Sequence, residues 1–106
     1  MRAVDFIVKE IERRGMTQAQ AAALTGWSRQ NLWDKLNNRN PRYNTMAHIA
    51  KSFGYALKVS RTDGRPVDFD EAEFFKVAEQ KNIYYDDLEA LMLSMGYSLN
   101  IVETSK

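Results

Sequence analysis

Val4, Ile7, Val8 and Ile11 recur at the i, i+3, i+4, i+7 spacing of one helical face, and Gly15 ends the run. Thr17 opens the segment Thr-Gln-Ala-Gln, in which Thr17 can cap a second helix and Gln20 stands at the capping-box position. That helix is rich in alanine (Ala19, Ala21, Ala22, Ala23) and stops at Gly26. Ser28 is a cap for a third helix, where Leu32 and Leu36 form an i, i+4 apolar pair. A polar, basic loop from Asn37 to Asn44 contains Pro41. Thr45 is then the expected cap of a fourth helix with Met46, Ile49, Ala50 and Phe53 on its buried face and Gly54 as its stop.

From Ala56 the period changes from that of a helix to that of a strand. Leu57 and Val59 alternate with Lys58 and Ser60, and Thr62-Asp63-Gly64 is turn chemistry, so the expectation is a strand and a hairpin returning through Val67. Asp70 can cap a fifth helix carrying Phe74, Val77 and Ala78. Asp86 with Glu89 predicts a second capping box, on a sixth helix that buries Leu88, Leu91, Met92 and Met95 and stops at Gly96. Leu99 and Ile101 predict a last strand. Residues 32–59 also echo residues 74–101 at an offset of forty-two, matching Tyr43/Tyr85, Ser52/Ser94, Gly54/Gly96, Tyr55/Tyr97 and Leu57/Leu99. Two readings fit: a partial duplication of a helix–Gly-Tyr–strand unit, or the common grammar of a helix stopped by glycine before a strand. Either way the two strands are short enough to need pairing, within the chain or across a dimer.

The net charge of +1 conceals a division along the chain. Residues 1–61 hold eleven Lys/Arg against four acids, and residues 62–106 hold four against ten, giving +7 and −6. A basic segment suits phosphate binding, while an acidic one must face away from a polyanion. The acidic half could equally complement the basic half within a dimer, so charge by itself only divides the chain into 1–61, a basic unit suited to DNA, and 62–106, an acidic α/β extension for dimerisation or for binding a protein partner. No cysteine is present and His48 is the lone histidine, so neither a disulfide nor a thiolate metal site is expected, and no cofactor. Arg2, Asp5, Lys9 and Glu10 break any apolar leader, and the apolar runs are too short for a membrane span, which predicts a cytoplasmic protein. Without a glycine-rich phosphate loop or an activating partner for His48, enzymatic chemistry is not expected.

Two short helices joined by a glycine-containing turn can place the second in the major groove of DNA while the first crosses the backbone. With Leu32 and Leu36 inward, Gln30, Asp34, Asn37 and Asn38 point outward and Asn31 lies beside them. Amide side chains suit base reading because each can bond adenine N6 and N7 together. Arg29, in the first turn, can reach guanine or a phosphate. Trp33 sits at the edge of the apolar face and reads first as half-buried packing. Asp86 and Asp87 precede a helix, where capping explains them. Tyr84, Tyr85 and Tyr97 fall in the acidic segment, as core or as interface.

The stretch Thr17-Gln18-Ala19-Gln20-Ala21-Ala22, followed by Thr25-Gly26-Trp27-Ser28-Arg29-Gln30-Asn31-Leu32, resembles the phage-repressor (Cro-type, XRE) helix-turn-helix family. Gln30 to Leu36, Ile49-Ala50-Lys51 and Phe53-Gly54 are similar to a subgroup common in Gram-positive bacteria and their prophages. The resemblance covers about residues 3–60. It implies a lambda-repressor-like helix-turn-helix bundle, mainly α, here with a small β element and a C-terminal helical extension (α+β). It also implies a homodimer on a two-fold operator in double-stranded DNA, as a transcriptional repressor or activator. Carried onto this chain, Gln18 would hold a phosphate, Arg29, Gln30 and Asn31 would read bases, and Asp34 follows one turn on. Ser28, Trp33 and Lys35 flank those positions, and the backbone contacts of the loop would fall on Asn38, Arg39, Arg42 and Tyr43. Three residues depart from the family pattern: Ala21 stands for a larger aliphatic and leaves a gap unless Trp27 fills it. Trp27 replaces a small β-branched residue, and Asp34 puts a carboxylate on the reading face. The family's fifth helix is also replaced by a strand after Gly54. Two other functions fit the same residues: an antitoxin that represses its own operon and binds a toxin through 62–106, and a protein-interaction module that has lost DNA binding.

Overall fold

In a computed structural model, which describes residues 2–38 and 40–104, the first apolar stripe forms α1 (Ala3–Arg13) and buries Val4, Ile7 and Ile11. Thr17 opens α2 (Gln18–Thr25) with a capping box: its hydroxyl accepts from the Gln20 amide at 3.1 Å, and the Gln20 side chain accepts from the Thr17 amide at 2.8 Å. Gly26 ends α2 at φ 76°, a left-handed conformation that costs glycine nothing. Ser28 caps α3 (Arg29–Asn37) through the Asn31 amide, and Leu32 and Leu36 face inward. Next, α4 (Tyr43–Ser52) runs through Gly54 into β1 (Tyr55–Arg61). Asp70 caps α5 (Glu71–Lys81), and α6 (Tyr85–Ser94) runs through Gly96 into β2 (Tyr97–Glu103). The described residues are mainly α, 58% helical, with a two-stranded antiparallel sheet. Among the described residues no helix is long and apolar enough to cross a membrane.

Four local expectations are corrected by contacts between distant segments. The hairpin through Val67 does not form, because β1 pairs with β2 over the register Tyr55↔Glu103 to Arg61↔Tyr97. The turn at Gly64 exists, but Asp63 within it and Asp68 beyond it both accept from the Arg61 guanidinium, which folds the chain across the end of β1. Helix α4 starts at Tyr43 rather than after Thr45, and α6 starts at Tyr85 rather than after Asp86, with no side-chain cap from Arg42 or Tyr84. Their caps come from elsewhere: Asn82 Oδ1 accepts from the Asn44 amide at 2.9 Å, and Asn40 Oδ1 accepts from the Asp86 amide at 3.1 Å. Finally, Leu91 and Met95 are not core but 55% and 60% exposed, whereas Leu88 and Met92 are buried as expected.

Those two caps belong to a larger reciprocity. Arg42 and Tyr84 form an antiparallel bridge, with the Tyr43 amide donating to the Ile83 carbonyl at 2.7 Å and the Tyr85 amide to the Pro41 carbonyl at 2.8 Å. The Thr62 amide donates to the Gly96 carbonyl at 2.9 Å, and the Thr104 amide to the Gly54 carbonyl at 3.1 Å. Both threonine hydroxyls repeat the bond of their own amides. In the sheet Lys58 faces Asn100. Every one of these contacts maps onto its counterpart when residues forty-two apart, the separation of Tyr43 from Tyr85, are exchanged. The helix caps Ser28 and Asp70 obey the same offset. The chain therefore contains a structural repeat, α3–α4–β1 and α5–α6–β2, closed on itself about a pseudo-two-fold axis. The repeat is longer than the echo of 32–59 with 74–101, and α1 and α2 stand outside it.

One hydrophobic cluster runs through both repeats, with Tyr43, Met46, Ile49 and Val59 from one and Tyr85, Leu88, Met92 and Leu99 from the other. The outward edge of β1 is occupied where the Val59 amide donates to Glu71 at 3.1 Å. Glu10 is a buried carboxylate on α1 that Arg13 and Arg14 hold together, and Arg14 also donates to the Phe53 carbonyl at 2.8 Å. Chiefly through Arg13, the Glu10 pKa is lowered from 4.5 to about 2. A carboxylate with a depressed folded-state pKa contributes stability that is present above its ordinary value and lost as the pH falls. Urea midpoints measured downward from about pH 5 should therefore fall less steeply for Glu10→Gln than for the parent chain. Tyr85 tests the packing in another way. Its hydroxyl is buried and without a hydrogen-bond partner among the described residues, and burial pushes its pKa well up. Tyr85→Phe should leave stability equal or higher by urea titration, because only an unpaired polar atom is lost, while Tyr85→Ala should cost about 3–5 kcal/mol.

Candidate functional site

The exposed polar surface singled out by the sequence is built on a rigid corner. Thr25 is the hinge pin of that corner. Its hydroxyl donates to the Ala22 carbonyl at 2.8 Å and accepts from the Trp27 amide at 3.2 Å, so the chain is fixed on both sides of Gly26. His48, from α4, donates through Nε2 to the Thr25 carbonyl at 2.8 Å. The Trp27 ring stacks on the His48 ring with centroids 4.7 Å apart. Trp27 thus bridges the junction of α2 with α4 and packs against the core cluster that contains the fully buried Ala21. Sequence reasoning did not find the positioning roles of Thr25 and His48. The available signal was a threonine placed one residue before the turn glycine, where its hydroxyl can bond the last helical carbonyl.

From this corner the first turn of α3 projects into solvent. Gln18, Ser28, Arg29, Gln30 and Trp33 line one open hollow of about 420 Å³, between the start of α2 and the start of α3. Gln18, Ser28, Arg29 and Gln30 are exposed, and Trp33 forms a partly buried wall packed on the core. Asn31 is partly buried one residue on, and its amide is bonded to the Ser28 hydroxyl at 3.1 Å. Asp34 is exposed and accepts from the Gln30 Nε2 at 2.9 Å. The carboxylate therefore orients the amide of Gln30 and presents Gln30 with a fixed direction. Lys35 is partly buried beside this face.

The loop that follows does not join the hollow as a set. Asn38 is exposed, with its Oδ1 accepting from the Asn40 amide at 3.2 Å. Arg39 lies outside the described residues. Arg42 stacks its guanidinium 4.6 Å above the Tyr84 ring and donates to the Asn82 carbonyl at 3.1 Å, which commits it to the seam between the repeats. Tyr43 is buried in the core cluster, and burial raises its hydroxyl pKa.

Chemically the hollow offers amides, one hydroxyl and one guanidinium in fixed positions, suited to hydrogen bonding and anion attraction. Among the described residues no cluster of His, Asp or Glu is arranged to hold a metal ion. The corresponding positions of the second repeat differ in kind. Glu71, Ala72 and Glu73 stand at the offsets of Arg29, Gln30 and Asn31, so the start of α5 repels what the start of α3 attracts. No family model matches the chain, and neither a curated protein nor a solved structure matches it.

Proposed function

We propose that this protein binds duplex DNA sequence-specifically as a transcriptional regulator, with α2 and α3 acting as a helix-turn-helix and the start of α3 entering the major groove. One observation carries the reading: Gln18, Ser28, Arg29, Gln30 and Trp33 share a hollow on the segment of net charge +7. A neutral amide held by a neighbouring carboxylate, as Gln30 is by Asp34, loses little freedom on meeting a base edge. Arg29 beside it supplies the guanidinium that pairs with guanine O6 and N7 or with a phosphate. Gln18, at the start of α2, faces the same hollow and suits a phosphate oxygen. The acidic start of α5 points to one reading helix per chain, so a two-fold operator requires two copies of the chain, and the regulator represses by occupying its site.

Selection from a random duplex pool, followed by anisotropy titration of the winner, tests this directly. An enriched site whose binding vanishes in the Arg29→Ala, Gln30→Ala double variant is the expected result. Equal affinity of that variant for the selected and a scrambled duplex, with parent-like strength, would sink the assignment. Gln30→Ala alone should cost about 1–3 kcal/mol at one base-pair position and relax the preference there. Lys35→Ala should instead weaken selected and scrambled duplexes alike and lower the slope of log K against log salt by about 1, since a phosphate contact carries no sequence information.

A further inference from the structure

The two repeats are covered unequally. In the first repeat α1 and α2 pack across α3 and α4, and Ile49 and Phe53 are 0% and 2% exposed beneath them. Their counterparts at the same offset in the second repeat are Leu91 and Met95, both more than half exposed. Lys35 and Pro41 correspond to Val77 and Ile83, large apolar residues that also stand open to solvent. Between α5 and α6 runs an almost wholly apolar hollow of about 160 Å³, lined by Phe74, Val77, Ala78, Lys81, Ile83 and Leu88. The face that α1 and α2 shield in one repeat is therefore bare in the other, and the rest of the fold supplies nothing to shield it among the described residues.

We propose that this bare face on α5 and α6 docks a basic amphipathic helix of a partner protein, which takes the place that α1 and α2 occupy on the first repeat. The shape of the occupant follows from the internal template, in which a helix with Val4, Ile7 and Ile11 on one side fills the equivalent position. Its charge follows from the rim. Glu73 precedes Val77 by one turn on α5 and Asp87 precedes Leu91 by one turn on α6, both exposed, within a segment of net charge −6. Lysine or arginine flanking the apolar stripe of the partner meets these carboxylates, and Lys81 at the hollow meets an acid or the carbonyl end of the incoming helix. A second copy of this chain has no such helix to offer, since its α1 and α2 are already packed on its own first repeat. The inference stands apart from DNA binding, which uses α2 and α3.

The full chain would be screened against a displayed library of random 18-residue peptides, and the winners measured by anisotropy. Expected are peptides with apolar residues at i, i+3, i+4 and i+7 flanked by Lys/Arg, weakened at least about tenfold by Leu91→Glu and again by Met95→Glu. Both positions are exposed, so each substitution keeps the fold, which circular dichroism checks. Leu24→Glu, an exposed position on α2, should leave peptide affinity unchanged. An unenriched library overturns the proposal, as do winners indifferent to Leu91→Glu. Sedimentation equilibrium is the second arm: a parent dimer that Leu91→Glu converts to a monomer overturns the partner helix in favour of a second copy. Selected-duplex affinity of the Leu91→Glu chain separates failure here from failure of the DNA reading, because the residues of that reading lie on α2 and α3, away from Leu91.

Discussion

The rest of the structure depends on the reciprocal backbone pairing that joins the two repeats, at the Arg42–Tyr84 bridge and along β1 and β2. A unit of two short helices and one strand is too small to bury a core, and a two-stranded ribbon alone is marginal in water. Facing two such units solves both problems together. Each strand acquires a partner, α4 and α6 each acquire an asparagine cap from the opposite unit, and Tyr43 and Tyr85 become core residues. The same closure sets the axis about which α1 and α2 break the symmetry.

How much of this was legible in the sequence follows from how far each contact reaches. Caps within a few residues of the helix they serve were readable: Thr17, Ser28 and Asp70 all accept from the amide three positions on. The caps of α4 and α6 were not, because the asparagines that serve them lie on the far side of the seam, and Thr45 and Asp86 offered a plausible local substitute. The strand at β1 was visible in its alternation, and its pairing with the last strand was among the expectations, but the hairpin through Val67 was not real, since a turn at Gly64 resembles a hairpin until Arg61 is seen to hold Asp63 and Asp68. Leu91 and Met95 keep helical core spacing without being core. Periodicity reports what a helix face is fit to meet, not whether the fold packs anything over it.

The candidate site divides along the same line. Gln18, Ser28, Arg29, Gln30 and Trp33 were placed by local helix geometry, and they gather around one hollow. Arg42 and Tyr43 were placed by resemblance to chains in which that loop faces outward, whereas here the second repeat claims both side chains. The two repeats differ in charge as well as in contact: Arg29 and Gln30 stand in the first where Glu71 and Ala72 stand in the second, and Leu91 and Met95 are exposed where Ile49 and Phe53 are buried.

The wide separation of the paired strands has a consequence for the order in which the protein matures. As the chain leaves the ribosome from its N-terminus, the first repeat appears with Tyr43 and the edge of β1 unpaired; the Tyr43 amide waits for Ile83, and β1 waits for residues up to Glu103. Pairings between such distant segments form late, after the entropy of closing a long loop has been met. During that interval two nascent chains on one message hold identical unpaired strands in close proximity, so the seam that unites a finished molecule is also its route to entanglement between unfinished ones.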